Sequence, residues 1–289
     1  MDAEFLLDDY TRSRGRLVVQ GLHDTALLHG IDPRATYRSE GGKKLLVLWG
    51  PGHPTHFAAF KRHRKAGGIT IAFDMGYWDQ GRGSTALGMN RVAVNALHPD
   101  KIIMRIAWPA PRAGFTPPVL RDDWRPRGRV VLVGLGPKTR EQFGLREGEW
   151  ERGMLSKIKA AWHGARVVLR PKPGTPFVSL GIPVVEADSI EEALYGAHAV
   201  VCRHSNVAVD AIKAGVPAIC EDGAAAAVCA SRVSDIEYVT PLSRSTREEF
   251  LARLAWYQWT AAECWSGAAW PALLRMVEEV ETMRSESCA

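Results

Sequence analysis

Short apolar runs recur along this chain, and each stops at glycine, proline or a polar cluster. Residues 43–49 run Lys-Lys-Leu-Leu-Val-Leu-Trp into Gly50-Pro51-Gly52-His53-Pro54, and residues 69–73 run Ile-Thr-Ile-Ala-Phe into Asp74-Met75-Gly76-Tyr77-Trp78. Further runs cover 129–133, 166–170, 182–185, 199–202 and 216–220. Runs this short with little polar alternation read as strands buried on both faces, the pattern of parallel sheets covered by helices. The segments between them read as helices. One spans 17–28 and closes at Gly30, one spans 55–66 and stops at Gly67, and others cover 148–162 and 205–214, the last closed by Gly215. Ser189-Ile190-Glu191-Glu192 has the form of a capping box opening another helix. Residues 90–99 alternate like a strand with one polar face. Strands and helices in alternation predict an α/β protein with parallel sheets.

The rhythm is broken once. Residues 108–126 carry Pro109, Pro111, Pro117, Pro118 and Pro126, and proline fixes φ while donating no hydrogen bond, so this stretch reads as a linker. A chain of 289 residues is also long enough for about two domains. The expected organisation is an α/β lobe over 1–122, a second over 123–245, and C-terminal helices over 246–289. Trp256, Trp259, Trp265 and Trp270 in that tail are expected to dock it across both lobes by aromatic burial.

Charge is distributed unevenly. The net charge is +5, and residues 1–122 hold 17 Lys/Arg against 11 Asp/Glu, whereas the remainder holds 20 against 21. The densest cluster is Lys61-Arg62-His63-Arg64-Lys65. A basic first half suits a polyanionic partner, or else a solvated helix face. The five cysteines show no CxxC or Cys/His metal spacing, and an odd, scattered set fits a reducing cytoplasm. No apolar run approaches the roughly 20 residues of a membrane span, and the acidic start lacks a signal-peptide layout. The expectation is a cytoplasmic protein without a membrane partner.

Ligands of open α/β sheets bind beyond the carboxyl ends of the strands, which directs attention to residues 50–54, 74–78, 134–139, 170–172, 203–206 and 221–223. In the fifth of these loops, Arg203-His204-Ser205-Asn206 precedes a helix. Free N–H groups, hydroxyls and the helix dipole there favour an anion such as a diphosphate. Asp210 stands one turn further on, placed to accept hydrogen bonds from ribose hydroxyls, or else faces solvent as an ordinary helix residue. Ala214-Gly215-Val216-Pro217 and the acidic Glu221-Asp222 follow.

In this order of features, residues 189–223 resemble the nucleotide-sugar lobe of glycosyltransferases with two Rossmann-like lobes, the GT-B class. The single residue between His204 and Asn206 makes the phosphate loop shorter than in plant-type members. The resemblance implies a cleft between two lobes and a nucleoside-diphosphate sugar donor, best a UDP-sugar. The donor would be held by Gly136, Lys138 and Thr139, by Arg170 and Lys172 near the base, and by His204, Ser205, Asn206, Asp210, Glu221 and Asp222. It also implies no essential metal, in keeping with the absence of an Asp-x-Asp motif.

Two residues of the first half are candidates for the general base. His53 stands in a glycine-His loop like that of inverting members. Asp74 ends a strand where phage DNA glucosyltransferases use a carboxylate, and it is preferred because Tyr77 and Trp78 accompany it. The 74–99 segment also resembles phage proteins, which points to DNA carrying hydroxymethylated pyrimidines as acceptor. Tyr77 and Trp78 are then expected to stack on an extruded base. Arg82, Arg91, Asn95 and His98 would contact the acceptor, with Lys61, Arg62 and Arg64 on phosphates. The expected activity is transfer of a sugar to an acceptor hydroxyl. Its rivals are transfer to a glycan or small molecule, epimerisation of the nucleotide sugar, and DNA binding without catalysis.

Overall fold

Burial of short apolar runs on both faces sets the architecture. A computed structural model describes residues 1–8, 13–42, 44–80, 88–97, 102–109, 112–185, 187–230 and 232–288. Its strands are β1 (Asp2–Leu6), β2 (Asp32–Thr36), β3 (Leu45–Trp49), β4 (Ile69–Met75), β5 (Asn90–Val94), β6 (Arg129–Val133), β7 (Val167–Arg170), β8 (Ala197–Cys202), β9 (Ala218–Cys220) and β10 (Gln258–Trp259). The helices are α1 (Ser13–Thr25), α2 (Pro54–Lys65), α3 (Pro137–Phe143), α4 (Glu149–Ala161), α5 (Ile190–Leu194), α6 (Val207–Ala214), α7 (Arg244–Leu254), α8 (Ala261–Trp265) and α9 (Trp270–Cys288). The chain divides into one unit of Met1–Phe115 with Arg253–Ala289, and another of Thr116–Ala252.

The first unit is built on a six-stranded sheet of order β10-β5-β4-β3-β1-β2. β3 pairs in parallel with β4, from Leu45 opposite Ile69 to Trp49 opposite Phe73, and with β1, which pairs in parallel with β2. β5 runs antiparallel to β4, and β10 antiparallel to β5. The sheet is therefore mixed, which corrects the expectation of parallel sheets throughout. An antiparallel neighbour needs no crossover helix, so the direction of β5 follows from its pairing with β4 and not from the alternation of residues 90–99. β1 and β2 mix acidic and apolar residues and escape a reading by apolar runs.

The C-terminal segment from Arg253 belongs to this first unit. Trp270 is fully buried, its indole N–H donates to the Leu22 carbonyl at 3.2 Å, and its ring meets Phe5 edge-on. Trp108 stacks on Trp256 with centroids 4.7 Å apart. The start of the proline-rich stretch is thus fixed to the core by an aromatic pair.

The second unit has a four-stranded, all-parallel sheet of order β7-β6-β8-β9. Val130, Leu132, Leu169, Val201 and Ile219 from the strands pack with Trp150, Met154 and Ile158 of α4. Ser189 caps α5 by accepting the Glu192 N–H, whereas the Glu192 carboxylate reaches the Asp188 N–H. α6 closes at Gly215 in a left-handed conformation, φ 71°. Residues before β6 are already tied to this unit: the Arg121 and Asp123 N–H groups donate to the Lys213 and Ala214 carbonyls, both at 2.8 Å.

His63, on the buried face of α2, has no side-chain hydrogen-bond partner among the described residues, and a Cβ at Gly68 would lie 2.2 Å from its Nε2. Burial lowers the His63 pKa, against smaller opposing effects of which the Glu4 charge is one. The sign follows. Above about pH 6.5 both folded and unfolded states are neutral at this site, and below it the unfolded chain takes up a proton that the folded chain resists. Stability should therefore fall as pH drops from about 6.5 towards the depressed folded value. Chemical denaturation at pH 7.5 and pH 5 should show a smaller difference for His63→Leu than for the native chain. An equal difference in both would remove His63 from the acid sensitivity.

Candidate functional site

The second unit collects its polar groups where its four parallel strands end. After β8, Arg203 and His204 turn the chain towards α6, and after β9 come Glu221, Asp222 and Gly223. Arg203 Nη1 lies 2.8 Å from Glu221 Oε2, and the guanidinium lies 3.8 Å from the centre of the Phe143 ring. The other Glu221 oxygen accepts the Trp150 indole N–H at 3.0 Å. His204 Nδ1 lies 3.3 Å from Asp222 Oδ1, and its Nε2 hydrogen-bonds the Thr139 hydroxyl at 3.2 Å. Gly223, at φ 94°, packs on His204, where a Cβ would lie 3.1 Å from the His204 Cα. Only glycine combines that φ with such an approach at no steric cost. The start of α3, the β8–α6 turn and the β9 turn thus meet at one edge of the sheet.

Of the residues singled out in the sequence, Thr139, His204, Glu221 and Asp222 lie together at this edge. Ser205 Oγ accepts the Val207 N–H at 3.2 Å, and Asn206 occupies the N-cap position of α6. Gly136 caps α3, and a Cβ there would lie 2.9 Å from Lys172 Cδ, which puts that lysine stem over the loop. Lys138 is exposed on α3, and Arg170 is buried at the end of β7. Asp210 pairs with Lys213 at 2.9 Å; burial pushes its carboxyl up, with Lys213 pulling the other way. Its carboxylate is thus already engaged within α6. Arg203, Phe143, Trp150 and Glu151 belong to this edge too, and the assignment of Trp150 and Glu151 needs the fold, because α4 is distant in sequence from both turns.

The first unit has its own polar edge, after β1, β3 and β4. Asp74 stands directly opposite Arg91 on β5. Its Oδ2 accepts from Arg91 Nη2 at 3.0 Å and its Oδ1 from the Met75 N–H at 2.8 Å. Burial opposes the Arg91 charge, but Asp74 and Tyr77 outweigh it and raise the Arg91 pKa. Tyr77 and Trp78 are core residues, 4% and 6% exposed. The Tyr77 N–H donates to Gln258 Oε1, and the Trp78 ring lies 5.8 Å from Phe115. Both rings are buried, which does not suit their expected stacking on an extruded base, and it is the backbone N–H groups of Tyr77 and Trp78 that tie the turn after β4 to Gln258 of β10. Asn95 follows β5 at φ 56°. On α2, Lys61 lies over Phe57, Arg64 over Phe60, and Arg62 donates to the Ser39 carbonyl at 3.1 Å. Arg82 and His98 lie outside the described residues.

His53 is the N-cap residue of α2, and its ring lies 5.3 Å from that of His56. His56 is fully buried and bridges two acceptors. Its Nδ1 lies 2.6 Å from the Trp49 carbonyl, and its Nε2 lies 2.9 and 3.0 Å from the two Asp8 oxygens. Both ring nitrogens thus lie within hydrogen-bond distance of an acceptor. Asp8 sits just beyond a strand that its acidic residues hide, so the pair leaves no mark in the sequence beyond a histidine three residues after His53.

Among the described residues, no group of His, Cys, Asp and Glu is arranged to hold a metal, and no helix is long and apolar enough to cross a membrane.

Solved structures similar to this chain include sugar transferases. The KpsC β-Kdo 2,7-transferase of Thermosulfurimonas dismutans is 12% identical, with 93% of this chain and 98% of that one covered and a TM-score of 0.51. The β-Kdo 2,4-transferase of the same KpsC is 14% identical over 88% and 90%, at 0.47. The glycosyltransferase SnogD of Streptomyces nogalater is 16% identical over 83% and 71%, at 0.28. The first likeness shows that the chain shares the α/β fold of that transferase. No protein-family model and no curated protein matches the sequence.

Removing one member of a buried ion pair leaves the other unpaired, at a cost of about 3–5 kcal/mol. Asp8→Ala should destabilise the chain by that amount in urea denaturation. A loss below about 1 kcal/mol would mean that Asp8 and His56 are not paired in solution.

Proposed function

We propose that this chain transfers a sugar from a nucleoside-diphosphate sugar to an acceptor hydroxyl. The observation that carries the reading is the edge of the second unit, where His204, Thr139, Arg203, Glu221 and Asp222 converge beside the start of α6. Backbone N–H groups of a helix start, with its dipole, favour an anion. In transfer, the bond between the anomeric carbon and the diphosphate breaks, and negative charge grows on the departing diphosphate. The start of α6, with His204 and the exposed Lys138, supplies the donors that stabilise it. Glu221 and Asp222 suit the donor sugar, whose hydroxyls a carboxylate accepts.

The other requirement is a base that takes the proton of the acceptor hydroxyl. His53 and Asp74 remain the two candidates. Arg91 orients the Asp74 carboxylate, and the Asp8–His56 pair lies beside His53. The acceptor reading shifts with the burial of Tyr77 and Trp78. A hydroxyl of a glycan or small molecule needs no stacking platform, and we take it as the acceptor class. The exposed cations Lys61, Arg62 and Arg64 on α2 still favour DNA as a second reading.

The test is a transfer assay with a panel of nucleotide sugars. Activated Kdo belongs among them because two similar structures are Kdo transferases. Glycan acceptors and hydroxymethylated or plain DNA are offered in parallel, and products are read by mass. Transfer should need an acceptor, and one of Asp74→Asn and His53→Ala should lower turnover by about 10²–10⁴-fold. If DNA is the acceptor, affinity should fall steeply with salt, and Arg64→Ala should reduce the log–log slope by about 0.9. Epimerised donor in the absence of any acceptor would contradict the transferase reading. Full turnover in both variants would remove the base from these two residues.

A further inference from the structure

Glu151 of α4 is buried at the edge where β6 and β7 end, with only 6% of its surface exposed. Its Oε1 accepts the Leu135 N–H at 2.7 Å. Its Oε2 is shielded from solvent and has no hydrogen-bond partner among the described residues. No cation pairs with it among the described residues. The nearby Arg140 donates to the Leu135 carbonyl at 3.1 Å and lies 3.8 Å from Glu147. Yet Glu151 lines a crevice together with Leu135, Pro171, Lys172 and Phe177. Gly134 borders the carboxylate: a Cβ there would stand in ordinary contact, 3.6 Å from Glu151 Oε1 and 3.5 Å from Pro171 Cα.

A carboxylate that only capped the Leu135 N–H would need one acceptor atom. The second oxygen carries a desolvation penalty with nothing in the fold to offset it. The oxygen is an acceptor without a donor, at the edge of a parallel sheet where ligands bind. A phosphate does not fit here, because it would meet an unpaired negative charge. A neutral N–H or O–H donor does.

We propose that Glu151 is a binding residue for the nucleoside part of the donor, its Oε2 accepting a hydrogen bond from a base N–H or a ribose hydroxyl. The proposal rests on the nucleotide-sugar reading and adds a direction to it. The nucleoside lies over the β6–β7 edge, and the diphosphate lies towards His204 and the start of α6. The loop over 134–139 then serves the nucleoside at its Leu135 end, and Asp210, already bound to Lys213, is relieved of the ribose role.

The test measures dissociation constants of UDP, CDP, GDP and ADP, of the 2′-deoxy form of whichever binds tightest, and of inorganic pyrophosphate. The proteins are the native chain, Glu151→Gln and Glu151→Asp. Glutamine keeps an acceptor for the Leu135 N–H and turns an NH₂ group towards the ligand; aspartate keeps the charge but withdraws it by one methylene. Both variants should weaken the tightest nucleotide by about tenfold or more, the factor equal to 1.4 kcal/mol, and leave pyrophosphate unchanged. If the native chain loses the same factor on passing to the 2′-deoxy nucleotide, the ribose is the donor; if it loses nothing, the base is. Equal weakening of pyrophosphate and nucleotide, or no weakening of either, would overturn the role of Glu151 while native nucleotide binding upholds the donor reading. Absence of binding of all four nucleotides to the native chain would overturn both.

Discussion

Parallel pairing of β6 with β7 and β8, and of β8 with β9, is the constraint on which the second unit depends. The interior strand residues are apolar because both faces of such a sheet are covered, so polar side chains can emerge only at the strand ends. The crossover helices begin at the carboxyl ends, which puts helix N-termini, with their unpaired N–H groups and positive dipole ends, at the same edge. Arg203, His204, Glu221 and Asp222 are therefore neighbours by topology, although two turns of chain separate them. Their ion pairs and the Thr139 contact hold them in register with α3. An edge so arranged is what the proposed binding of a nucleotide sugar would use.

The first unit handles polarity in another way. Its antiparallel β4–β5 pair puts Asp74 directly across from Arg91, a cross-strand ion pair that a parallel neighbour would not place in that register. Beneath the adjoining β1 and β3 ends, Asp8 and His56 form a buried pair. Buried charge of this kind is tolerated only when paired and hydrogen-bonded, and here the Trp49 carbonyl and Asp8 together satisfy both ring nitrogens. The pair holds α2 against β1 and β3, and so fixes the helix start that carries His53.

The buried parallel strands of the second unit were legible because an apolar run of four or five residues between turn signals has few other fates. The helix stop at Gly215, the Ser189 cap and the strand-end loops were legible for the same local reasons. Antiparallel β5 was not, because strand direction depends on partners and not on a strand's own residues. Tyr77 and Trp78 misled because an aromatic after a strand reads the same whether it faces solvent or a distant residue such as Gln258. Glu151 and Asp8 were missed for the converse reason. Each is an ordinary acidic residue in sequence, and only the fold removes it from water.

The central claim is that a nucleotide binds at the carboxyl edge of the second unit's sheet. Amide hydrogen exchange of the full chain, with and without the tightest-binding nucleoside diphosphate at saturation, tests it most directly. Slowed exchange should concentrate at residues 203–209 and 134–140, with residues 1–80 little changed. Saturable binding that left both of those segments exchanging as before, with protection elsewhere, would contradict the account.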